Sequence, residues 1–350
     1  MASSRWTTTS AGFMPPHVLE RIASHGNERL KQCARATLQV DAQFRMRNAS
    51  PAQARPADSS QPGEPARYIY SARNQQTLPG DLMREEGDPD TGDMAADEAY
   101  QWLGATHRFY WQVFERDSID GEGMALLGTV HYGQDYDNAF WNGAQMVFGD
   151  GDGELFNRFT AALDVVAHEL THGVIEREAG LVYADQAGAL NESLADVFGI
   201  LVKQHHFEQS VEESEWLIGK GLLTDRVNGQ ALRSMANPGS AYDDPVLGKD
   251  PQPGHMKEFV RTSSDNGGVH INSGIPNRAF YLAATSLGGF AWEAAGPIWF
   301  DALTDRRLQR DSDFAAFAEL TVSCAATRFG DGSQETQAVR RAWIDVGVLS

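Results

Sequence analysis

The run Leu163-Asp-Val-Val-Ala-His-Glu-Leu-Thr-His-Gly-Val-Ile175 constrains this chain more than any other stretch. Its periodicity predicts a helix over 163–178. Helical residues four apart share one face about one turn apart, so His168 and His172 aim two imidazoles at one point. Two histidines hold a single Zn²⁺ in this way. Glu169 lies beside that face, where it can take a proton from water acidified by the metal. The bland alternative for the pentapeptide alone is a helix that packs two histidines by chance.

A tetrahedral catalytic zinc needs a third protein ligand and one open position. Nineteen residues separate His172 from Glu192, within Gly188-Ala-Leu-Asn-Glu-Ser-Leu-Ala-Asp-Val-Phe-Gly199. Asp196 falls four residues later on the same face of a helix predicted over 189–206. A carboxylate there can hold the second nitrogen of a ligand histidine. Apolar neighbours (Ala189, Leu190, Leu194, Ala195, Val197 and Phe198) make this helix mostly buried. Unpaired acids are too costly to bury, so a ligand role wins over a solvated one.

The surrounding chain sets limits. At 350 residues it exceeds the usual size of one simple core, so two or more lobes are expected. Composition, 41% hydrophobic and 22% charged, excludes a wholly disordered or fibrous protein. No window is long and apolar enough for a membrane span. The first ten residues lack the apolar centre of a signal peptide, so a cytoplasmic protein or export by a non-classical route is expected. Two cysteines, Cys33 and Cys324, are too few for a disulfide framework. A net charge of −19 repels phosphate backbones and argues against nucleic acid as partner. That charge is uneven: residues 1–66 carry eight Lys/Arg and five acids, +3, which leaves −22 for the remainder. The prolines of 51–66 read as a semi-extended linker, and upstream one short helix is predicted near Leu30–Leu38. So small a segment with few large apolar residues has to pack on the acidic body.

From Tyr68 to about Phe159 the pattern is of short strands such as 126–132, interrupted by a helix near 95–113. Beyond it come helical periods at 163–178, 189–206, 273–287, 295–308, 313–328 and 335–345. Strands followed by helices, without βαβ alternation, predict an α+β fold in two lobes. Phe140, Trp141 and Phe148 are expected in the core, and His205, His206 and His255 at the surface.

The motif His168-Glu-Leu-Thr-His172 with Asn191-Glu192-Ser-Leu-Ala-Asp196 resembles the thermolysin-like (M4-type) zinc metalloendopeptidases. Tyr136–Asn142, Gly149–Gly153, Ala179–Tyr183, Leu232–Met235 and Asp265–Gly274 match that family's pattern in order. The resemblance implies the two-lobed zincin fold and hydrolysis of internal bonds in peptide or protein substrates. It implies zinc ligands His168, His172 and Glu192, with Asn191 and Asp196 supporting them, and Glu169 as general base. It further implies Tyr183 and His270 as oxyanion donors, with Asp265 orienting His270. Arg233, Asn138 and the Ala139 backbone would bind substrate, and Phe156, Phe159, Val165, Ile218, Leu222 and Leu232 would line a pocket for a hydrophobic side chain after the scissile bond. Ala161-Ala162 stands where the family often has paired hinge glycines.

Pro15-Pro16-His-Val-Leu19 resembles the short propeptides of the protealysin branch, which implies an intramolecular inhibitor with Pro15, Pro16 and Leu19 at the primed subsites. The expected organisation is a propeptide over 1–50, a linker with the processing site over 51–66, a catalytic lobe with the zinc helix over 67–178, and a helical lobe over 179–350. A monomer without membrane partner is expected. Cys33 as a zinc-ligating switch is disfavoured by its apolar helical setting. The paired calcium site of thermolysin falls on Asp164, Lys203, Glu215, Leu217 and Lys220, so calcium there should be absent or reduced, with lysines pairing the acids. A zinc aminopeptidase would need an acidic cluster for a free amino terminus, and none precedes His168. A non-catalytic zinc module would lack Glu169, Tyr183 or His270, and all three are present.

Overall fold

The computed structural model describes residues 12–46, 58–59 and 61–350. Residues 1–11 and 47–50 of the expected propeptide, and 51–57 and 60 of the expected linker, lie outside the described residues.

Among the described residues two helices come first, α1 (Pro16–His25) and α2 (Glu28–Met46), where the sequence predicts one short helix. Pro16 stands at the first helical position, where a missing N–H costs nothing. Gly26 ends α1, and the Asn27 side chain accepts from Leu30 N at 3.0 Å to begin α2.

The first lobe holds β1 (Arg67–Ser71), β2 (Asp81–Glu85), α3 (Met94–Phe114), β3 (Leu126–Val130), β4 (Ala139–Trp141) and β5 (Met146–Phe148). The strands form one sheet in the order β2-β1-β3-β5-β4. β1 and β5 run parallel to β3, while β2 and β4 pair antiparallel at the two edges. A parallel crossover through α3 is therefore present, contrary to the sequence reading. The short β1–β2 hairpin, interposed before α3, hides the alternation.

α4 (Leu163–Glu178) and α5 (Asp185–His206) cross the middle of the molecule, and both are buried nearly all round. They approach closely at Gly199, where a Cβ would meet Asp164 O at 2.8 Å. The expected lobe boundary falls in the turn between them. Beyond it lie the two-residue strands β6 (Leu217–Ile218), β7 (Arg233–Ser234), β8 (Asp243–Asp244) and β9 (Gly248–Lys249). The remaining helices are α6 (Asp265–Asn272), α7 (Gly274–Leu287), α8 (Ala295–Thr304), α9 (Phe314–Phe329) and α10 (Gln334–Asp345). Among the described residues no helix is long and apolar enough to cross a membrane.

One apolar core links both lobes and takes in Phe13, Met14, Val18, Leu19, Ile22, Leu30 and Ala34. Apolar burial, more than charge, therefore seats the N-terminal segment. Of its described cations, Arg29 alone forms ion pairs with the body, to Asp135 (3.4 Å) and Glu154 (3.5 Å), and its side chain is 50% exposed. Exposed pairs contribute about 1 kcal/mol or less. Residues after Asp58 are tied to the first lobe: Ala125 N donates to Asp58 Oδ1 (3.0 Å), Ser59 N to Gly123 O (2.9 Å) and Gly63 N to Asp117 Oδ2 (3.2 Å). This part of the expected linker is a strap on the body.

The histidines expected at the surface are half-buried. His205 packs on Phe109 and Trp292, His206 on Trp102, and His255 accepts from Lys257 N. Phe140, Trp141 and Phe148 are buried as expected.

Candidate active site

His168 and His172, both buried, face α5 from one side of α4. His168 Nδ1 lies 2.8 Å from Asp196 Oδ1 and His172 Nδ1 lies 2.8 Å from Asn191 Oδ1. Each acceptor fixes a proton on Nδ1, which leaves both Nε2 atoms with bare lone pairs. These two nitrogens stand 3.1 Å apart, where neither has a proton to share. Glu192 completes the cluster, with Oε2 3.5 Å from His168 Nε2 and Oε1 3.4 Å from His172 Nε2. Its Oε2 is buried without a hydrogen-bond partner. Two bare nitrogens and an orphaned carboxylate oxygen, all converging, fit a divalent cation with N/O preference such as zinc.

Glu169 also reaches both histidines. Its Oε2, however, accepts from Trp141 N of β4 at 2.9 Å, while Oε1 has no partner. The two carboxyls differ in electrostatics. Burial, then the charge of Glu192, pushes Glu169 well above the usual carboxylate range. Burial would raise Glu192 as well, but His270, His172, His168 and Arg233 hold it below that range. Glu192 thus suits a ligand and Glu169 a proton acceptor. Burial is also the main cause that lowers His172 to about 4.

Tyr183 donates to Glu192 Oε1, and its hydroxyl lies 3.3 Å from His270 Nε2. His270 is aimed by the Asp265-Asn-Gly-Gly turn at the head of α6. Asp265, Asn266, Gly267 and Gly268 all have positive φ, which the two glycines adopt without strain. The turn lets Asp265 accept from both His270 N (2.9 Å) and His270 Nδ1 (2.7 Å). Burial opposes a charge on His270, yet Asp265 and Glu192 raise it to about 9.

Arg233, at the start of β7, forks onto Asp196 through Nε and Nη2, both at 2.8 Å. Burial opposes ionisation of Asp196, but Arg233 and His168 keep its pKa well below the carboxylate range. Phe156, Phe159, Val165, Ile218, Leu222 and Leu232 are all buried in the adjoining core. Ala162 precedes α4 without a side-chain cap, at the pair that replaces the hinge glycines.

Residues Gly12–Met14 run through this site. Phe13 N donates to Ala139 O (2.9 Å) and Met14 N to Asn138 Oδ1 (2.8 Å), so the segment adds to the free edge of β4. Gly12 O lies 3.1 Å from His270 Nε2, and Phe13 O accepts from Arg233 Nη1 at 3.4 Å. The Phe13 ring meets His168 edge-on at 5.1 Å and lies beneath the Arg233 guanidinium at 4.4 Å. Its tip reaches Gly219, where a Cβ would stand 3.3 Å from Phe13 Cζ and 3.7 Å from Leu232 Cβ. The sequence reading put Pro15 and Pro16 in the cleft. Instead they follow the occluding residues: Pro15 is the last extended residue and Pro16 starts α1, because a ring-locked φ suits a helix start. Leu19 is buried in the core on α1.

Several participants escaped the sequence. Asp41 of α2 accepts from Tyr136 Oη (2.5 Å) and Asn138 Nδ2 (3.0 Å), locking the segment to the loop before β4. Asn277 Nδ2 donates to Asp196 Oδ2 at 2.8 Å, and a buried Asn in the predicted helix over 273–287 was the available signal. Cys33 donates to Asp135 at 3.8 Å, outside the His168, Glu169 and His172 group, and burial, then Asp135, raises its thiol to about 11. At the calcium-equivalent place, Lys203 Nζ lies 3.4 Å from Asp164 Oδ2, which also accepts from Gly219 N at 2.8 Å. Lys220 pairs with Glu215.

Comparison with known proteins agrees with this geometry. Residues 26–176 match the family model described as thermolysin metallopeptidase, catalytic domain, and residues 179–348 match thermolysin metallopeptidase, alpha-helical domain. An extracellular metalloprotease of Pectobacterium carotovorum subsp. carotovorum is 56% identical over 96% of this chain and 95% of its own length. Protease PrtS of a Photorhabdus species is 48% identical over 96% of this chain and 92% of its own. The solved precursor of protealysin, a metalloproteinase from Serratia proteamaculans, superposes with a TM-score of 0.89 at 55% identity, over 96% of this chain and 99% of that one. A histidine–glutamate cluster suited to zinc, set between lobes that both match, means that this chain belongs to the thermolysin metallopeptidase family, as a zinc metalloprotease of its protealysin branch with a propeptide.

Proposed function

We propose that the chain is an endopeptidase precursor whose residues 12–14 hold its own substrate cleft. His168, His172 and Glu192 would hold the zinc, which when bound supplies a Lewis acid that acidifies water and polarises the peptide carbonyl. Glu169 would take a proton from the attacking water and pass it to the leaving nitrogen as the C–N bond breaks. Its buried setting, with a raised proton affinity, supports that shuttle. Protonated His270 and the Tyr183 hydroxyl would stabilise the developing oxyanion, with Asp265 orienting the ring. Substrate would add to β4 through Asn138 and Ala139, and Arg233 would grip a carbonyl beyond the scissile bond.

One observation carries this reading. Gly12–Met14 already engages His270, Arg233, Asn138 and Ala139 as a bound peptide would, with an apolar side chain at the predicted pocket. Cleavage before hydrophobic residues is therefore proposed. So are removal of the propeptide by self-cleavage and a fold that needs no calcium beside α4. The name of the Pectobacterium relative favours the exported alternative. The test is incubation of the processed enzyme with a peptide blocked at both ends, with and without a zinc chelator. Internal, chelator-sensitive cleavage before Phe or Leu is expected. An intact blocked peptide, beside trimming of the same peptide with its ends free, would overturn the endopeptidase assignment.

A further inference from the structure

We infer that Asn277 is a positioning residue for the metal centre, acting through Asp196; the inference rests on the zinc site proposed above. Asp196 is fully buried and receives four hydrogen bonds. Oδ1 takes His168 Nδ1 and Arg233 Nη2, and Oδ2 takes Arg233 Nε and Asn277 Nδ2, each at 2.8 Å.

Two of those three partners have a second task. His168 offers its other nitrogen to the metal cluster, and Arg233 reaches the Phe13 carbonyl where a substrate carbonyl would lie. Asn277 is different. It sits in the first turns of α7, with its backbone N–H on Ser273 O at 3.0 Å. An ionised carboxylate only accepts, so the amide must turn Nδ2 towards Asp196. That orientation leaves Asn277 Oδ1 buried without a partner. An unpaired buried amide oxygen is unfavourable, and leucine, of similar size, would carry no such cost. The feature this unfavourable placement preserves is the bond to Asp196.

The consequence is a separation of duties. With Asn277 holding Oδ2, the carboxylate plane stays fixed when Arg233 shifts to grip substrate. His168 Nδ1 then keeps its acceptor, and Nε2 keeps its aim. Without Asn277, Arg233 alone would set that plane, and movements of substrate would reach the metal ligand. Partners one step removed from a metal typically change its affinity about 10- to 100-fold.

The test uses the full chain and measures its zinc affinity by competition with a chromogenic chelator, beside the thermal midpoint of the zinc-free protein. Wild type must bind zinc; if it does not, the zinc site itself is wrong. Asn277→Leu should weaken zinc by roughly tenfold or more, with the zinc-free midpoint unchanged or raised. In an Asp196→Asn background the same substitution should add nothing further. Should Asn277→Leu fail to fold, Asn277→Ser, which also withdraws the amide, replaces it in both backgrounds. Wild-type affinity for zinc in the variant, or an equal loss in both backgrounds, would overturn the inference while leaving the zinc site standing.

Discussion

The Nε2 atom of His270 lies 3.1 Å from the carbonyl oxygen of Gly12. Nδ1 of the same ring is committed to Asp265, so a doubly protonated His270 spends its remaining donor on the chain's own N-terminal segment. Arg233 does likewise with Phe13. On the proposed reading, latency would come from occupying the groups that would receive substrate, with His168 and His172 left in place.

Phe13 anchors that occupation. It is fully buried between His168, Arg233 and Gly219. Phe13→Ala should weaken docking of the segment by about 3–5 kcal/mol, the usual cost of emptying an aromatic site. A time course of the full-length band on a gel should show faster loss of the precursor. An unchanged lifetime would mean that the anchor lies elsewhere.

Acid should loosen the segment through His17. Its Nε2 lies 3.3 Å from Tyr242 Oη, and its Nδ1 is buried with no partner. Burial chiefly lowers it to about 4, opposed by Asp265 and assisted by His270 and Arg233. Because the docked ring favours the neutral form, its contribution is complete above its ordinary value of 6.5 and fades as pH falls towards 4. Docking should weaken by roughly two orders of magnitude across that window. Amide exchange along α1 in a Glu169→Ala full-length chain, at pH 7 and pH 5, would show it. His17→Leu should flatten the difference; an equally steep loss in that variant would exclude His17 as the source.

How far the sequence reached depends on how local each contact is. His168, His172 and Glu169 were legible because a helix fixes their spacing, and Asp196 because it lies one turn beyond Glu192. Tyr183, Asp265, His270, Arg233 and Asn138 come from separate segments, so only family resemblance could join them. Gly12–Met14 gave no signal, since three residues have no period and their partner is a sheet edge set by tertiary structure. The Trp141 N–H on Glu169 was likewise invisible, being a backbone group. Charge misled over the N-terminal segment, because counting ions says nothing of Phe13, Leu19 and Ile22 beneath them. The proline pair misled too, since it suits an extended segment and a helix start equally well.

The strap after Asp58 should belong to the processed enzyme. Three hydrogen bonds tie it to residues 117–125, and Gly63 lies against Trp111, where a Cβ would come within 2.4 Å of the ring. A chain starting at Asp58 should be more stable than one starting at Ala66 by roughly 2–3 kcal/mol, at about 1 kcal/mol for each lost bond. Denaturant midpoints of the two would decide. Equal midpoints would return the strap to the linker.

Calcium should matter little beside α4. Asp164 is fully buried, with Lys203 and Gly219 N on Oδ2, so a cation and a donor already sit where an ion would bind. A chelator selective for calcium over zinc should leave the thermal midpoint unchanged. Lys203→Ala strands a buried carboxylate and should cost about 3 kcal/mol or more. A midpoint that drops with the chelator and recovers with calcium would refute this reading.

The most direct test of the proposed mechanism replaces Glu169, whose carboxyl is wholly buried beside His168 and His172 yet is held by the Trp141 N–H. Glu169→Ala and wild type, both as chains starting at Asp58 so that Gly12–Met14 no longer fills the cleft, should be loaded with one equivalent of zinc, then compared for bound metal and for turnover of an end-blocked peptide. The variant should retain its zinc and lose at least about 100-fold in turnover, because the metal-holding residues survive while the proton acceptor is gone. Wild-type turnover in a zinc-loaded Glu169→Ala chain would contradict the assignment of Glu169, and with it the reading of the site.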